Sequence, residues 1–116
     1  MEEKFKRGQK EHEWDICAGK GGANIVYMLS DEDIAEPVKI TEIRAIKLDE
    51  GAWCGYHEVT AKSECYYIAA GEGVYKSDSY EIPVKAGDTV TCDRGGFHGL
   101  TNTGKGELTY VALTVE

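Results

Sequence analysis

The sequence predicts an all-β domain, a sandwich or barrel of short strands. Two observations carry that expectation. Runs rich in β-branched and aromatic residues recur at intervals of about 8–12 residues, and glycine-bearing turns separate them. A third observation is negative. The one helix-like stretch, the polar start over residues 2–14, lacks a sustained apolar stripe at helical spacing.

Each run qualifies on its own residues. NIVYMLS (24–30) is dense in strand formers, and VKITEIRAIKL (38–48) mixes alternating with continuous apolar character. The segment GAWCGYHEVTAKSECYYIAAGEG (51–73) reads as two strands and a turn, the second strand over 65–70. Shorter runs follow at 74–76, 80–84 and 89–92, and the chain closes on ELTYVALTVE. Turns are expected at Gly51, Gly71–Gly73, 86–88, 94–96 and 103–106. One domain over 1–116 accommodates all of this, with 1–22 as an N-terminal arm and 23–116 as the barrel.

Composition narrows the function. Thirteen basic against 21 acidic residues leave a formal charge of -8, a field that repels nucleic-acid backbones and anionic lipid. No apolar run approaches the roughly 20 residues that cross a bilayer. The start shows no secretory apolar region, so the expectation is a cytoplasmic protein. Cys17, Cys54, Cys65 and Cys92 form no C-x-x-C pair and read as free thiols acting as small hydrophobes.

The chemistry concentrates in two stretches. If TAKS (60–63) is a hairpin loop, Val59 pairs with Glu64 and His57 with Tyr66. Alternation then puts His57, Val59, Glu64 and Tyr66 on one face with Gly55, Trp53 and Ile68, and Cys54, Tyr56, Cys65 and Tyr67 on the other. Those apolar neighbours suggest a core side, where a carboxylate requires a cation, a metal or a good donor. The bland alternative is a solvated His–Glu pair. The second stretch is GDTVTCDRGGFHGLTN (87–102), in which a tight DRGG turn precedes His98 as if a later hairpin returned a second imidazole to the barrel.

Together these stretches resemble the cupins. Gly51, His57, Glu64 and Gly71 match the first motif of that family, G-x5-H-x-H-x3,4-E-x6-G. Gly87, Gly95, His98 and Asn102 match the second, G-x5-P-x-G-x2-H-x3-N. Val59 stands where the first motif has its second histidine, and Asp93 where the second has proline. The resemblance implies a double-stranded β-helix (jelly-roll) barrel. It also implies one divalent metal (Fe, Mn, Ni or Zn) held by His57, Glu64 and His98, since Val59 cannot ligate. Two imidazoles and one carboxylate resemble the facial triad of non-haem iron sites and the ligand count of some catalytic zinc sites.

Trp53, Val59, Tyr66 and Phe97 are the expected pocket lining, with Tyr66 as an acid/base or positioning group. Plain core is the competing reading for the aromatics. Cys92 reads as a small hydrophobe, His12 as a solvated surface residue, and the acidic 30–37 segment as a solvated connector. GKGGAN (19–24) lacks the phosphate-loop pattern and reads as a turn. Three functions follow. The first is a metal-dependent enzyme (dioxygenase, isomerase, decarboxylase or lyase) acting on a small sugar or organic acid. The second is a metal-free small-molecule-binding module, favoured by Val59. The third is a structural dimer. A homodimer is expected, with the arm able to exchange between subunits.

Overall fold

The computed structural model describes residues 10–29 and 39–116. Among the described residues, ten strands form two facing antiparallel sheets. In chain order they are β1 (Lys10–Trp14), β2 (Gly22–Leu29), β3 (Ile40–Leu48), β4 (Trp53–Glu58), β5 (Ser63–Ala70), β6 (Glu72–Ser77), β7 (Glu81–Lys85), β8 (Thr89–Asp93), β9 (Phe97–Asn102) and β10 (Leu108–Val115). One sheet runs β1-β2-β3-β10-β5-β8 and the other β4-β9-β6-β7. Strands adjacent in sequence thus repeatedly lie in opposite sheets, the wiring of a jelly roll. The expected all-β double-stranded helix is present.

The polar start is a strand rather than a helix where it is described. Residues 10–14 pair with β2 of the same chain, Lys10 opposite Val26 and Trp14 opposite Gly22. Residues 1–9 of the arm, and the acidic 30–37 segment, lie outside the described residues.

Both expected hairpins are corrected. Strand β4 pairs with β9, whereas β5 pairs with β10 and β8, so TAKS is a crossing between sheets and not a hairpin loop. The DRGG turn likewise carries the chain from β8 in one sheet to β9 in the other. The two crossings bond to each other. Val59 N donates to Gly96 O at 2.8 Å, Gly95 N to Val59 O at 2.9 Å, and Arg94 N to Lys62 O at 3.0 Å. These bonds satisfy backbone groups that neither sheet ladder reaches. Asp93, at the motif's proline position, accepts from Gly96 N at 3.0 Å and closes the turn.

Inward residues of both sheets form the core: Ile25, Ile46, Leu48, Tyr66, Ile68, Tyr75, Leu100, Leu108 and Tyr110 are nearly inaccessible. Alternation along β10 buries Leu108, Tyr110 and Ala112 in turn. Strand β4 breaks the alternation. Cys54 faces Leu100 and His57 faces His98, so Gly55 and Tyr56 together oppose the single residue Gly99. That two-against-one bulge shifts the phase of the strand. Cys54 is buried, Trp53 is exposed, and His57 still points inward. The expected shared face of Trp53 and His57 is therefore corrected by one inserted residue.

Asn102, the last motif position, is 3% exposed and structural. Its Nδ2 donates to Leu48 O at 3.1 Å, Asp49 O at 3.1 Å and Gly106 O at 2.8 Å, and its Oδ1 accepts from Gly104 N at 3.1 Å. It ties the end of β9 to the end of β3 and to the 103–107 turn. Asn102→Ala leaves several of these groups unpaired, and a buried unpaired group costs about 1–3 kcal/mol. We expect a loss of about 3 kcal/mol in urea denaturation, with an unchanged slope. A loss under ~0.5 kcal/mol would contradict this role.

Candidate metal centre

Three polar side chains meet between the sheets. Glu64 comes from β5 in one sheet, and His57 and His98 are directly paired on β4 and β9 in the other. Glu64 Oε1 lies 3.3 Å from His98 Nε2 and 3.7 Å from His57 Nε2. One donor atom from each residue falls within 4.8 Å of the other two. The site is sheltered, with side chains 1% exposed for His98, 14% for Glu64 and 22% for His57.

The remaining ring nitrogens are held from outside the group. His57 Nδ1 lies 2.8 Å from Gly55 O. A carbonyl only accepts, so Nδ1 carries a proton; the charged ring turns Nε2–H toward Glu64, and loss of that proton frees Nε2 for a cation. The carbonyl of the bulge residue thus orients the imidazole. His98 Nδ1 lies 2.9 Å from Tyr75 Oη, a group that can donate or accept. When the phenol accepts, Nε2 of His98 is free for a cation; when it donates, Nε2–H points at Glu64. Tyr66 stacks on His98 with ring centroids 4.6 Å apart and donates its hydroxyl toward Glu64 Oε1 at 3.4 Å.

The donor set fits a divalent ion. Ligands about 2.1 Å from one metal sit roughly 3.0–3.5 Å apart; the 3.3 Å between Glu64 and His98 falls in that range, and the 3.7 Å between Glu64 and His57 lies just above it. Outer hydrogen bonds that fix each imidazole are the usual support of such sites.

Electrostatics couple the group tightly. The hydrogen bond to Glu64 raises His57 to about 9, against the opposing effect of burial. Burial alone would raise Glu64, but the hydrogen bonds from His57 and His98 outweigh it and hold the carboxyl well below the usual range. Burial pushes the Tyr66 phenol well above its ordinary value, so it stays protonated. Tyr75 is raised for the same reason.

The other expected pocket residues divide. Tyr66 is in the site. Val59 is fully buried at the sheet crossing. Trp53 and Phe97 face outward, 39% and 36% exposed, because the bulge turns Trp53 away and alternation opposes Phe97 to His98. Phe97 stacks on Tyr56 instead, and Trp53 borders a separate hollow with Trp14, Lys20 and Asp49. Cys92 lies opposite Glu64 on β8, its thiol raised by burial. His12 is exposed and 2.7 Å from Asn24 Oδ1.

Arg44 escaped the sequence reading, and Cys17 was read there only as a free thiol acting as a small hydrophobe. Arg44 shares an inward cross-strand row with Ala112, Tyr66 and Val90. Its Nε is 2.9 Å from Glu42 Oε1 yet finds no aligned hydrogen-bond acceptor among the described residues. Alternation along β3 from Ile46 could have placed it. Cys17 lies in a short 3-10 turn (Ile16–Ala18), and its sulfur falls within 4.8 Å of donor atoms of Cys54 and His57. The hydrogen bond from Cys54 lowers the Cys17 thiol to about 6 and raises that of Cys54. No sequence spacing signals this long-range contact.

The coupled pair makes the metal-free protein's stability depend on pH from two sides. His57 is raised above its free value, so its contribution is complete below about 6.5 and is lost as pH rises through about 9. Glu64 is lowered, so its contribution is complete above about 4.3 and is lost as pH falls through its depressed value. Melting temperatures of chelated protein should plateau near pH 4.5–6.5 and fall on both sides. Glu64→Gln should flatten both limbs, and a profile unchanged by that substitution would contradict the coupling.

Comparison with known proteins agrees with this architecture. The family model described as a cupin domain matches residues 45–115. An oxalate-binding protein of Thermotoga maritima is 33% identical over 101 residues, covering 87% of this chain and 82% of its own. A crystal structure of a predicted oxalate decarboxylase from T. maritima superposes with a TM-score of 0.85 at 31% identity, covering 93% of this chain and 92% of that one. A cupin-like protein from the same organism superposes at 0.75 and 18% identity over 98% of this chain and 81% of its own, a likeness of fold alone. No helix among the described residues is long and apolar enough to cross a membrane. On the match of sequence, fold and motif residues, the chain belongs to the cupin family.

Proposed function

We propose that the chain holds one divalent cation on His57, Glu64 and His98 and binds a small organic acid beside it, with a dicarboxylate such as oxalate as the favoured ligand. The observation that carries this reading is the approach of Glu64 Oε1 to both imidazole Nε2 atoms across the gap between the sheets. Two of the T. maritima matches, named as an oxalate-binding protein and a predicted oxalate decarboxylase, support oxalate. When bound, a divalent cation supplies Lewis acidity toward a ligand oxygen. Val59, apolar at the fourth ligand position, leaves the remaining coordination open.

The chain's own residues take distinct parts. Gly55 O and Tyr75 Oη orient the two imidazoles. Tyr66, protonated, donates to Glu64 and steadies the carboxylate. The Arg44 guanidinium, in the same cross-strand row as Tyr66, is the cation suited to a second carboxylate of the ligand.

After reloading with Mn(II) and desalting, the wild type should retain near-stoichiometric metal by elemental analysis, and His98→Ala almost none. Apparent affinity should rise with pH toward about 9, because His57 must lose its proton to bind. Oxalate at a hundredfold excess over its Kd should stabilise the loaded protein by about 2.7 kcal/mol, and acetate by far less. Arg44→Met should keep the metal yet weaken oxalate about tenfold or more, given about 1.5–3 kcal/mol for a charged hydrogen bond. Stabilisation by oxalate that survives chelator would replace this reading with the metal-free pocket that Val59 favours.

A further inference from the structure

We propose that Cys17, Cys54 and His57 form a second cation site, selective for thiophilic ions such as Zn(II), which shares its imidazole with the Glu64 centre. The donor atoms of these three residues lie within 4.8 Å of one another. Two sulfurs and one imidazole match the Cys2His count of a catalytic zinc site, three protein ligands with one position open. Bonds of about 2.3 Å to sulfur and 2.1 Å to nitrogen place such ligands roughly 3.5–4 Å apart, so contraction of about 1 Å closes the site.

The backbone is built to bring Cys17 there. Asp15, Cys17 and Ala18 all adopt left-handed conformations, with φ of 54°, 50° and 60°. Non-glycine residues hold such angles at a cost, and runs of them need outside support. Asp15 N donates to Gly21 O at 2.9 Å, Gly21 N to Asp15 Oδ1 at 2.8 Å, and Gly19 N to Ile16 O at 2.8 Å. The turn then presses onto β4 backbone to backbone, with Gly19 on one side and Gly55 on the other. A Cβ on Gly55 would stand 2.1 Å from Cys17 O, and one on Gly19 would stand 1.8 Å from Trp53 O. The bulge that aims His57 inward is therefore also the seat of the turn that carries Cys17. Cys54, two residues before Tyr56, points inward beneath it because of the same bulge.

The two groups divide cations by softness. Carboxylate with imidazole suits Mn(II) or Fe(II), and thiolate with imidazole suits Zn(II) or Cu(I). Only His57 belongs to both, so occupancy of one group withdraws a ligand from the other. An ion entering the sulfur group displaces the thiol protons to solvent. The proposal does not depend on the oxalate reading, and its test separates it from the Glu64 centre.

Co(II) is the probe, in reduced protein, because thiolate ligation gives it a near-ultraviolet charge-transfer band that imidazole and carboxylate do not. Wild type and His98→Ala should both show the band, and Zn(II) should bleach it. Cys17→Ser, a change in an exposed turn, should abolish the band and weaken Co(II) binding at least tenfold in His98→Ala, where only the sulfur group remains, while wild-type Mn(II) uptake is retained in the single Cys17→Ser variant. No band in the wild type, or a band undiminished in Cys17→Ser, overturns the proposal. Wild-type protein that shows the cobalt band but takes up no Mn(II) would bear out the sulfur site and count against the Glu64 centre alone.

Discussion

Glu64 is an ionised carboxylate set between two sheets, and the rest of the structure is arranged around that fact. An unpaired charge in such a place costs several kcal/mol and would take up a proton. The carboxylate stays ionised because two imidazoles from the opposite sheet and a phenol from its own reach one oxygen. Each imidazole is held in turn, one by the carbonyl of Gly55 and one by Tyr75. Buried polar networks of this kind are stable only when each member is satisfied.

The jelly-roll wiring is what makes the arrangement possible. A hairpin would have set His57 and Glu64 side by side on one surface. Crossing the chain between sheets at 59–62 sets them face to face across the interior, with the second crossing at 94–96 bonded to the first. The centre thus sits where both crossings meet, and Val59 is buried at their junction rather than contributing a ligand. The bulge at Gly55 adds the last adjustment, since it turns Trp53 out and Cys54 in while leaving His57 aimed at Glu64.

Much of this was legible in the sequence, and the misses have physical reasons. Strand positions followed from β-forming runs and glycine punctuation. The motif glycines Gly51, Gly71, Gly87 and Gly95 all adopt positive φ, the reason glycine stands there. The grouping of His57, Glu64 and His98 came from motif spacing. Pairing partners did not, because local alternation reports which face a residue uses and not which sheet its strand joins. Trp53 was misplaced since a bulge changes phase by one residue, with only Gly55 to hint at it. Phe97 was drawn inward by composition, although its neighbour His98 occupies the inner face. Cys17 and the paired start of the chain were invisible because their contacts are set by tertiary packing against β4 and β2.

The most direct measurement is an anomalous difference map from crystals of the Mn(II)-loaded protein, collected on both sides of the metal absorption edge. The account predicts one strong peak between the sheets, about 2.0–2.3 Å from Nε2 of His57, Nε2 of His98 and a carboxylate oxygen of Glu64. A peak bound elsewhere on the surface, or density with these three side chains turned apart, would contradict it.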